Sequence, residues 1–390
     1  VTVALPTLEQ DPTEDAFVQD PYPFYDRMRA LGPLVWWGAY EMPCAASHAA
    51  VSALLRDRRF GREDPAPPPR PAHQAGFWAV EDHSMLEAEP PRHTRLRAQV
   101  LRAFTSARIA ALAPQIEALA LGLARLPEGP VDLIEAFCAP LPVRVIARLL
   151  GLPEADAPRL LAWSHAMVGM YQAGRTQAQE RAAAEAADAF RAYLGCALAG
   201  HEGRDDLLGH LLRVEADGRL ARHEVVATAI LLLNAGHEAT VHMLGNAVHG
   251  MLARGQWPPR VTDALVEEVL RHDPPLHLFT RYAKEDCEVL GHRFARGDRV
   301  GLLLAAANRD PAAYADPARF DPARFEAARP PALSFGAGIH FCLGAPLARL
   351  EIAAGLRALA TRAPGLSPAG PARFAPIYHF HGLAALPVAA

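Results

Sequence analysis

Residues whose types and spacing could do chemistry are gathered in a few short stretches. The densest is Ser334-Phe335-Gly336-Ala337-Gly338-Ile339-His340-Phe341-Cys342-Leu343-Gly344, followed by Ala345-Pro346-Leu347-Ala348-Arg349-Leu350-Glu351. Pro346 suits the first turn of a helix, and Leu343, Leu347, Leu350 and Ala354 would make its apolar stripe. Cys342 would then sit at or just before a helix N-terminus, where unpaired N–H groups and the helix dipole favour a thiolate. Gly336, Gly338 and Gly344 would let the backbone turn and approach a flat partner closely. A thiolate held in this way suits haem iron, onto which it pushes electron density. For a lone cysteine the competing explanation is a buried structural residue. The Gly-x-Gly is not a dinucleotide fingerprint, because Phe341 replaces the third glycine and no strand–helix–strand unit surrounds it.

A second stretch, Leu231-Leu232-Leu233-Asn234-Ala235-Gly236-His237-Glu238-Ala239-Thr240, lies midway along a long apolar segment, 224–252, that contains no proline. A glycine and an acid inside a buried helix are costly unless used. His237-Glu238 with His242 is close to a zinc-peptidase spacing, but the second histidine is five residues on rather than four. On a helix that sets the imidazoles ~140° apart, which argues against a zinc hydrolase. His223-Glu224 has Ala227 where its second histidine would be. Two further pieces are Pro90-Pro91-Arg92-His93-Thr94-Arg95-Leu96-Arg97 and Glu268-Val269-Leu270-Arg271. Taken alone, Glu268 and Arg271 at i, i+3 would be an ordinary surface ion pair.

The elements that must position these residues are mostly helical. Apolar periodicity predicts helices over 94–104, 109–126, 141–150, 158–170, 176–198, 224–252 and 261–271, the last stopped by Pro274 and Pro275. Strand signals are short: 34–37, 287–290, 300–304 and 383–388. The repeat Asp316–Phe320 against Asp321–Phe325, both DPARF, is too short for a solenoid unit and reads as a turn pattern. Across 390 residues no linker composition divides the chain, so residues 1–390 read as a single domain.

Composition narrows the function classes. An apolar fraction of 51% allows a large core, while 21% charged residues and a net charge of −4 suggest neither disorder nor a nucleic-acid surface. No unbroken apolar run reaches the ~18 residues of a membrane span, and the first twenty residues lack a secretory pattern, so a cytoplasmic location is expected. Five scattered cysteines without a CxxC argue against a disulfide framework or a structural zinc site.

The segment FGAGIHFCLG resembles the cysteine loop of cytochromes P450, the pattern FGxGxHxCxG, at every fixed position. The likeness extends in order over nearly the whole chain. Asp20-Pro21-Tyr22-Pro23-Phe24-Tyr25 resembles the opening of bacterial members, and Glu268–Arg271 is similar to the family's ExxR. Asn308-Arg309-Asp310-Pro311 and Asp321-Pro322-Ala323-Arg324-Phe325 are similar to the meander before the cysteine loop.

The resemblance implies a mainly α fold with small β-sheets, haem b as cofactor, and dioxygen as co-substrate. Cys342 is then the axial iron ligand, with Phe335, Gly336, Gly344 and Ala235 around the haem. His93, Arg97, Arg281 and His340 would meet its propionates, since buried carboxylates need paired cations. Glu268, Arg271 and Arg324 would form a buried network serving folding and haem retention. Over the distal face, Gly236 would make room for dioxygen and Glu238 would relay protons. Ala239 departs from the threonine most members carry there; Thr240 follows, ~100° further round the helix, either assisting the relay together with bound water or bonding the carbonyl of Gly236.

The activity implied is insertion of one oxygen atom into a small-to-medium, largely apolar organic substrate. Electrons would come from separate partners, a ferredoxin and its reductase, docking in part on Arg92, Arg95 and Arg102. Ala239 keeps a peroxide-using or rearranging haem-thiolate enzyme as the alternative. A loop over 73–80, with Phe77 and Trp78, is expected to roof the substrate pocket. Met167, Met170 and Tyr171 would line it, and Leu276, Phe279, Tyr378 and Phe380 match segments that reach it. For each of these, ordinary core packing stays open.

Overall fold

The structure is a computed structural model. It describes residues 4–390 other than 173, 259, 328 and 379, and leaves out the side chains of 106 and 107. Helices dominate because long stretches combine good helix formers with local start signals. Helix α1 (Arg92–Ala103) presents Leu96, Val100 and Ala103 inward. Helix α2 (Pro140–Leu150) ends on Gly151 in the left-handed conformation (φ 84°). Helix α3 (Ala157–Val168) packs across α4 (Gln177–Leu198), an alanine-rich helix opened by a reciprocal cap: the Gln179 amide donates to Thr176 Oγ1 at 3.3 Å, and the Thr176 amide to Gln179 Oε1 at 2.7 Å.

Helix α5 (Arg222–Ala253) runs 32 residues and buries side chains on most of its circumference, as expected of a helix that crosses a core. Its upper half joins Leu160, Phe190 and Leu194 in one apolar cluster. Its lower half, with Val241, Leu244 and Val248, shares a second cluster with Leu265 and Val269 of α6 (Asp263–His272) and with Leu347, Ile352 and Leu356 of α7 (Ala345–Arg362).

A six-stranded sheet covers one side. Its strands are β1 (Thr7–Leu8), β2 (Val35–Trp37), β3 (Met42–Ala45), β4 (Phe60–Gly61), β5 (Leu278–Ala283) and β6 (Arg299–Leu303), in the order β1-β2-β3-β6-β5-β4. The antiparallel β5–β6 register sets Arg281 opposite Val300 and Thr280 opposite Gly301. Three smaller sheets complete the β content.

Several boundaries differ from the sequence expectation. Leu304 opens a short helix, Leu304–Asn308, rather than ending a strand. The expected strand 383–388 is two strands, Leu383–Ala385 and Pro387–Ala389, in different sheets. The expected loop 73–80 is largely helix, Ala75–Glu81, because Phe77 and Val80 three apart bury together against α4.

Candidate haem-thiolate site

The cysteine loop is closed on itself and fastened at both ends. The Cys342 amide donates to Phe335 O at 3.0 Å and the Gly336 amide to Leu333 O at 2.8 Å. Gly338 (φ 73°) could carry no side chain: a Cβ would lie 2.4 Å from the carbonyl oxygen of Leu55. Gly336 (φ 67°) lets the chain turn beside the Phe279 ring, 3.4 Å from where its Cβ would be. Gly344 is the cap of α7, and its amide and that of Ala345 hydrogen-bond the Cys342 sulfur. Arg349 stacks 4.7 Å from the centre of the Phe335 ring and pairs with Glu267 of α6 at 3.1 Å, tying the loop's start to two helices.

Burial and nearby donors act on Cys342 in opposite senses. The surrounding protein desolvates the Cys342 side chain. Burial raises its pKa, and that outweighs the pull of the two amides and of Arg97 and Arg349. A metal cation at the sulfur would favour the thiolate over the thiol.

Behind the loop lies the Glu268–Arg271 pair, wholly buried and far from the surface ion pair its spacing alone would suggest. The fork is bidentate, with both nitrogens 2.7 Å from the carboxylate oxygens. Arg271 also donates to the carbonyls of Asn308 (3.0 Å), Pro317 (2.9 Å) and Arg319 (3.2 Å). Arg324 approaches Glu268 at 3.3 Å, and the Asp321 amide donates to it at 2.7 Å. The set reaches the cysteine loop through Asn308, which accepts from the Leu333 amide (2.7 Å) and donates to Ser334 Oγ (2.8 Å); that hydroxyl donates to Leu270 O (2.6 Å).

The cations implied for the propionates are present in unequal states. Arg97 donates to Phe341 O at 2.6 Å, beside Cys342. Arg281 is 2% exposed; it donates to Thr280 O at 2.9 Å, and among the described residues no carboxylate lies within ion-pair distance of it or of Arg97. Burial, with repulsion from Arg62, pulls the Arg281 pKa down to about 9. Two arginines without carboxylate partners near a desolvated cysteine fit a planar iron cofactor that carries two carboxylates.

His340 is differently engaged: its Nε2 lies 2.8 Å from Glu89, a residue the sequence reading missed. Burial alone would raise Glu89, but hydrogen bonds from His340, the Arg62 amide and Lys284 hold it at about 2. The His93 ring lies 4.3 Å from that of His340, and burial pushes His93 down to about 4, so it is neutral at ordinary pH. Arg62, also missed, joins Arg281 around Phe279, at 5.5 and 5.7 Å from the ring centre. A sequence signal existed for Glu89, an acid directly before Pro90-Pro91, but none for Arg62.

A specific expectation follows for Arg281→Leu. In haem-free protein the change removes a costly buried charge, so thermal stability should hold or rise. In loaded protein it removes a charge-assisted hydrogen bond worth about 1.5–3 kcal/mol, so haem affinity should fall roughly 10–100-fold. Haem transfer to an acceptor protein, with melting of the apo form, measures both; unchanged transfer would remove Arg281 from the site.

On α5, Ala235 is exposed and Ala239 half-buried, one turn apart on a face that faces open space. At Gly236 a Cβ would lie 3.0 Å from the Ile146 side chain, so the missing side chain allows the close approach of α2. Thr240 is buried and faces the carboxyl of Glu351 on α7, turned from the Ala235–Ala239 face. Burial raises the Glu351 pKa well above the carboxylate range and Thr240 offsets it only in part.

Glu238, 8% exposed, is ringed by histidines: His165 Nε2 at 3.2 Å, His237 Nε2 at 3.5 Å and His242 Nε2 at 3.4 Å. Burial alone would raise its pKa, but the imidazoles beside it, His165 foremost, hold it well below the usual range. His165 comes from α3, 73 residues away in the chain, and no local pattern announces it.

The expected pocket residues divide. Phe77 and Met170 are buried in the core beside α4 and α5. Tyr378 is core as well: its hydroxyl is 2.8 Å from that of Tyr25, and its ring packs against Phe17 and Trp37. Trp78 is half-buried, bonded to Gln74 at 2.9 Å and covered by Arg70 at 3.8 Å. Phe279 belongs with the arginines. Leu276 bridges to Phe380, which lies 5.6 Å from the His242 ring, and both remain near the Glu238 side. Two arginines of the expected docking patch are already engaged: Arg95 with Glu224 (2.9 Å), and Arg92 with Asp82 O (2.7 Å) and Glu63 (3.7 Å).

Comparison with known proteins agrees with this geometry. A family profile described as Cytochrome P450 matches residues 260–360. The cytochrome P450 monooxygenase PikC of Streptomyces venezuelae is 36% identical over 409 residues, covering 99% of this chain and 95% of its own. The biotin biosynthesis cytochrome P450 of Bacillus subtilis is 32% identical over 396 residues, covering 98% and 99%. Among solved structures, CalO2 superposes with a TM-score of 0.88 at 33% identity, covering 98% of each chain. P450BioI in complex with an acyl carrier protein gives 0.88 at 31% identity, covering 96% of this chain and 99% of that one. The chain belongs to the cytochrome P450 family: it is a haem b-binding, dioxygen-using monooxygenase that acts on organic substrates.

Proposed function

We propose that this monooxygenase acts on a small-to-medium, largely apolar molecule, with Cys342 as iron ligand, Glu238 as the acid that delivers protons, and a ferredoxin with its reductase as electron source. The bound haem supplies reductive activation of dioxygen. The chain's own contribution is to hold the cofactor through Cys342, Arg97 and Arg281, keep the distal face apolar at Ala235 and Ala239, and carry protons inward. The observation that carries the relay is Glu238 itself, buried yet charged, bracketed by half-exposed His165 and buried His237. A proton taken up at His165 Nε2 is held by a nitrogen 3.2 Å from the carboxylate oxygen, near enough for direct transfer.

Residues 1–390 work as one domain, since α5 joins both large apolar clusters. For partner docking, Arg102 beside exposed Leu101 is the part of the basic patch not engaged by an acid. A cytoplasmic location belongs to the same proposal. It accords with five free cysteines, and no helix among the described residues is long and apolar enough to cross a membrane.

Ala239 favours a particular form of the reaction. Its side chain cannot hydrogen-bond, and Thr240 faces Glu351, so no hydroxyl of α5 at these positions orders water over the distal face. A polar group on the substrate, or a water it orders, then completes the relay. Product formed per electron pair should vary strongly with the ligand, with poor fits releasing hydrogen peroxide. Ala239→Thr should raise coupling for substrates lacking a polar group, and Glu238→Gln should slow turnover about 10–100-fold in either background. Product and peroxide yields measure this. Equal tight coupling for every ligand would contradict substrate assistance, and turnover driven by peroxide alone, without reductant, would favour the peroxide-using form.

A further inference from the structure

The histidines around Glu238 hold more than a proton path needs. His237 Nδ1 lies 2.7 Å from Leu233 O; a carbonyl only accepts, so Nδ1 carries the hydrogen and the lone pair of the neutral ring sits on Nε2. That Nε2 is fully buried, lies 3.5 Å from Glu238 Oε2, and makes no hydrogen bond. Glu238 Oε2 is itself buried without a well-aligned partner, although His165 Nε2 is 3.2 Å away. In the neutral ring two lone-pair atoms lie face to face, with a third imidazole beside them, an arrangement that a cation between them satisfies.

We infer that His165 Nε2, His237 Nε2 and Glu238 Oε2 form a binding site for a borderline divalent metal ion, zinc above all. The three donor atoms lie within 4.8 Å of one another. Bonds of 2.0–2.2 Å in a tetrahedral shell put neighbouring ligand atoms roughly 3.4 Å apart, and the contacts to Glu238 are 3.2 and 3.5 Å. The Leu233 carbonyl fixes the His237 tautomer from behind, as outer-sphere acceptors do for metal-bound imidazoles, and His242 Nε2 stands 3.4 Å from the other Glu238 oxygen. His165 is 52% exposed, so the ion has a route in and a fourth position open toward solvent.

The set is not the helical His-Glu-x-x-His arrangement. His237 and His242 meet different oxygens of Glu238, and the third ligand comes from another helix. Its consequence rests on the proposed relay: an ion on Glu238 withdraws the acid from proton delivery. Micromolar zinc should therefore slow turnover and raise peroxide release without displacing haem.

The test uses haem-loaded protein carrying His223→Ala, which removes the surface His83–His223 pair (rings 4.0 Å apart) as a competing site. Calorimetric titration with zinc chloride should show one ion per chain. Adding His165→Ala, an exposed position that leaves the ferrous–CO spectrum to report folding, should weaken binding by about 10–100-fold or more. Zinc-edge X-ray absorption should show two imidazole nitrogens and a carboxylate oxygen. Equal affinity with and without His165, or a shell without imidazole, overturns the site. If the site fails while Glu238→Gln still slows turnover, the relay stands; if zinc binds as described but turnover is unchanged, the site stands and the relay falls.

Discussion

Arg271→Leu should yield a chain that retains little haem and melts on the order of 10 °C below the parent. The substitution strips Glu268 of its bidentate partner while leaving that carboxylate wholly buried. Removing one member of a buried pair costs roughly 3–5 kcal/mol, a large share of the 5–15 kcal/mol by which folded domains are typically stable. It also takes the Arg271 donor from the carbonyls of Asn308 and Pro317, which leucine cannot serve, and leaves that of Arg319 to Arg324 alone.

Loss of haem follows from the route the network takes. Asn308 anchors Leu333 and Ser334, the two residues before Phe335, so disorder behind the loop is transmitted to the segment that carries Cys342. Arg271→Lys should be intermediate, since an ammonium keeps the charge but cannot span both carboxylate oxygens and three carbonyls. Thermal melts and haem per chain for the two variants decide the matter. Parent-like values for Arg271→Leu would show that the buried fork is dispensable.

What the sequence made legible was local. The cysteine loop and the Glu268–Arg271 spacing are contiguous patterns whose geometry is set within a few residues, and the structure builds both. The long helix was readable because it has no proline and few polar breaks between 224 and 252. What was hidden depends on partners distant in the chain. Glu89 meets His340 across 251 residues, and His165 meets Glu238 only because α3 lies across α5.

Direction on a helix was equally hidden. Gly236 and Thr240 belong to the expected motif, yet one faces Ile146 and the other Glu351, which depends on which neighbours α5 has rather than on its own sequence. The balance at Cys342 was hidden too: two amides and two arginines lower its pKa, while desolvation by residues distant in the chain raises it. Helix Ala75–Glu81 was read as loop because the proline run before it ends at Pro71, leaving room for only two turns, and its packing on α4 supplies what propensity does not.

The central claim is that Cys342 is the iron ligand, and one spectrum tests it. Reduced wild-type protein under carbon monoxide should show the strongly red-shifted band that marks a thiolate opposite the bound gas. Cys342→Ser should lose that band entirely while other soluble-fold signals, such as far-ultraviolet circular dichroism, persist. A serine variant that keeps the red-shifted band would mean that another residue holds the iron, and the account of this site would be wrong.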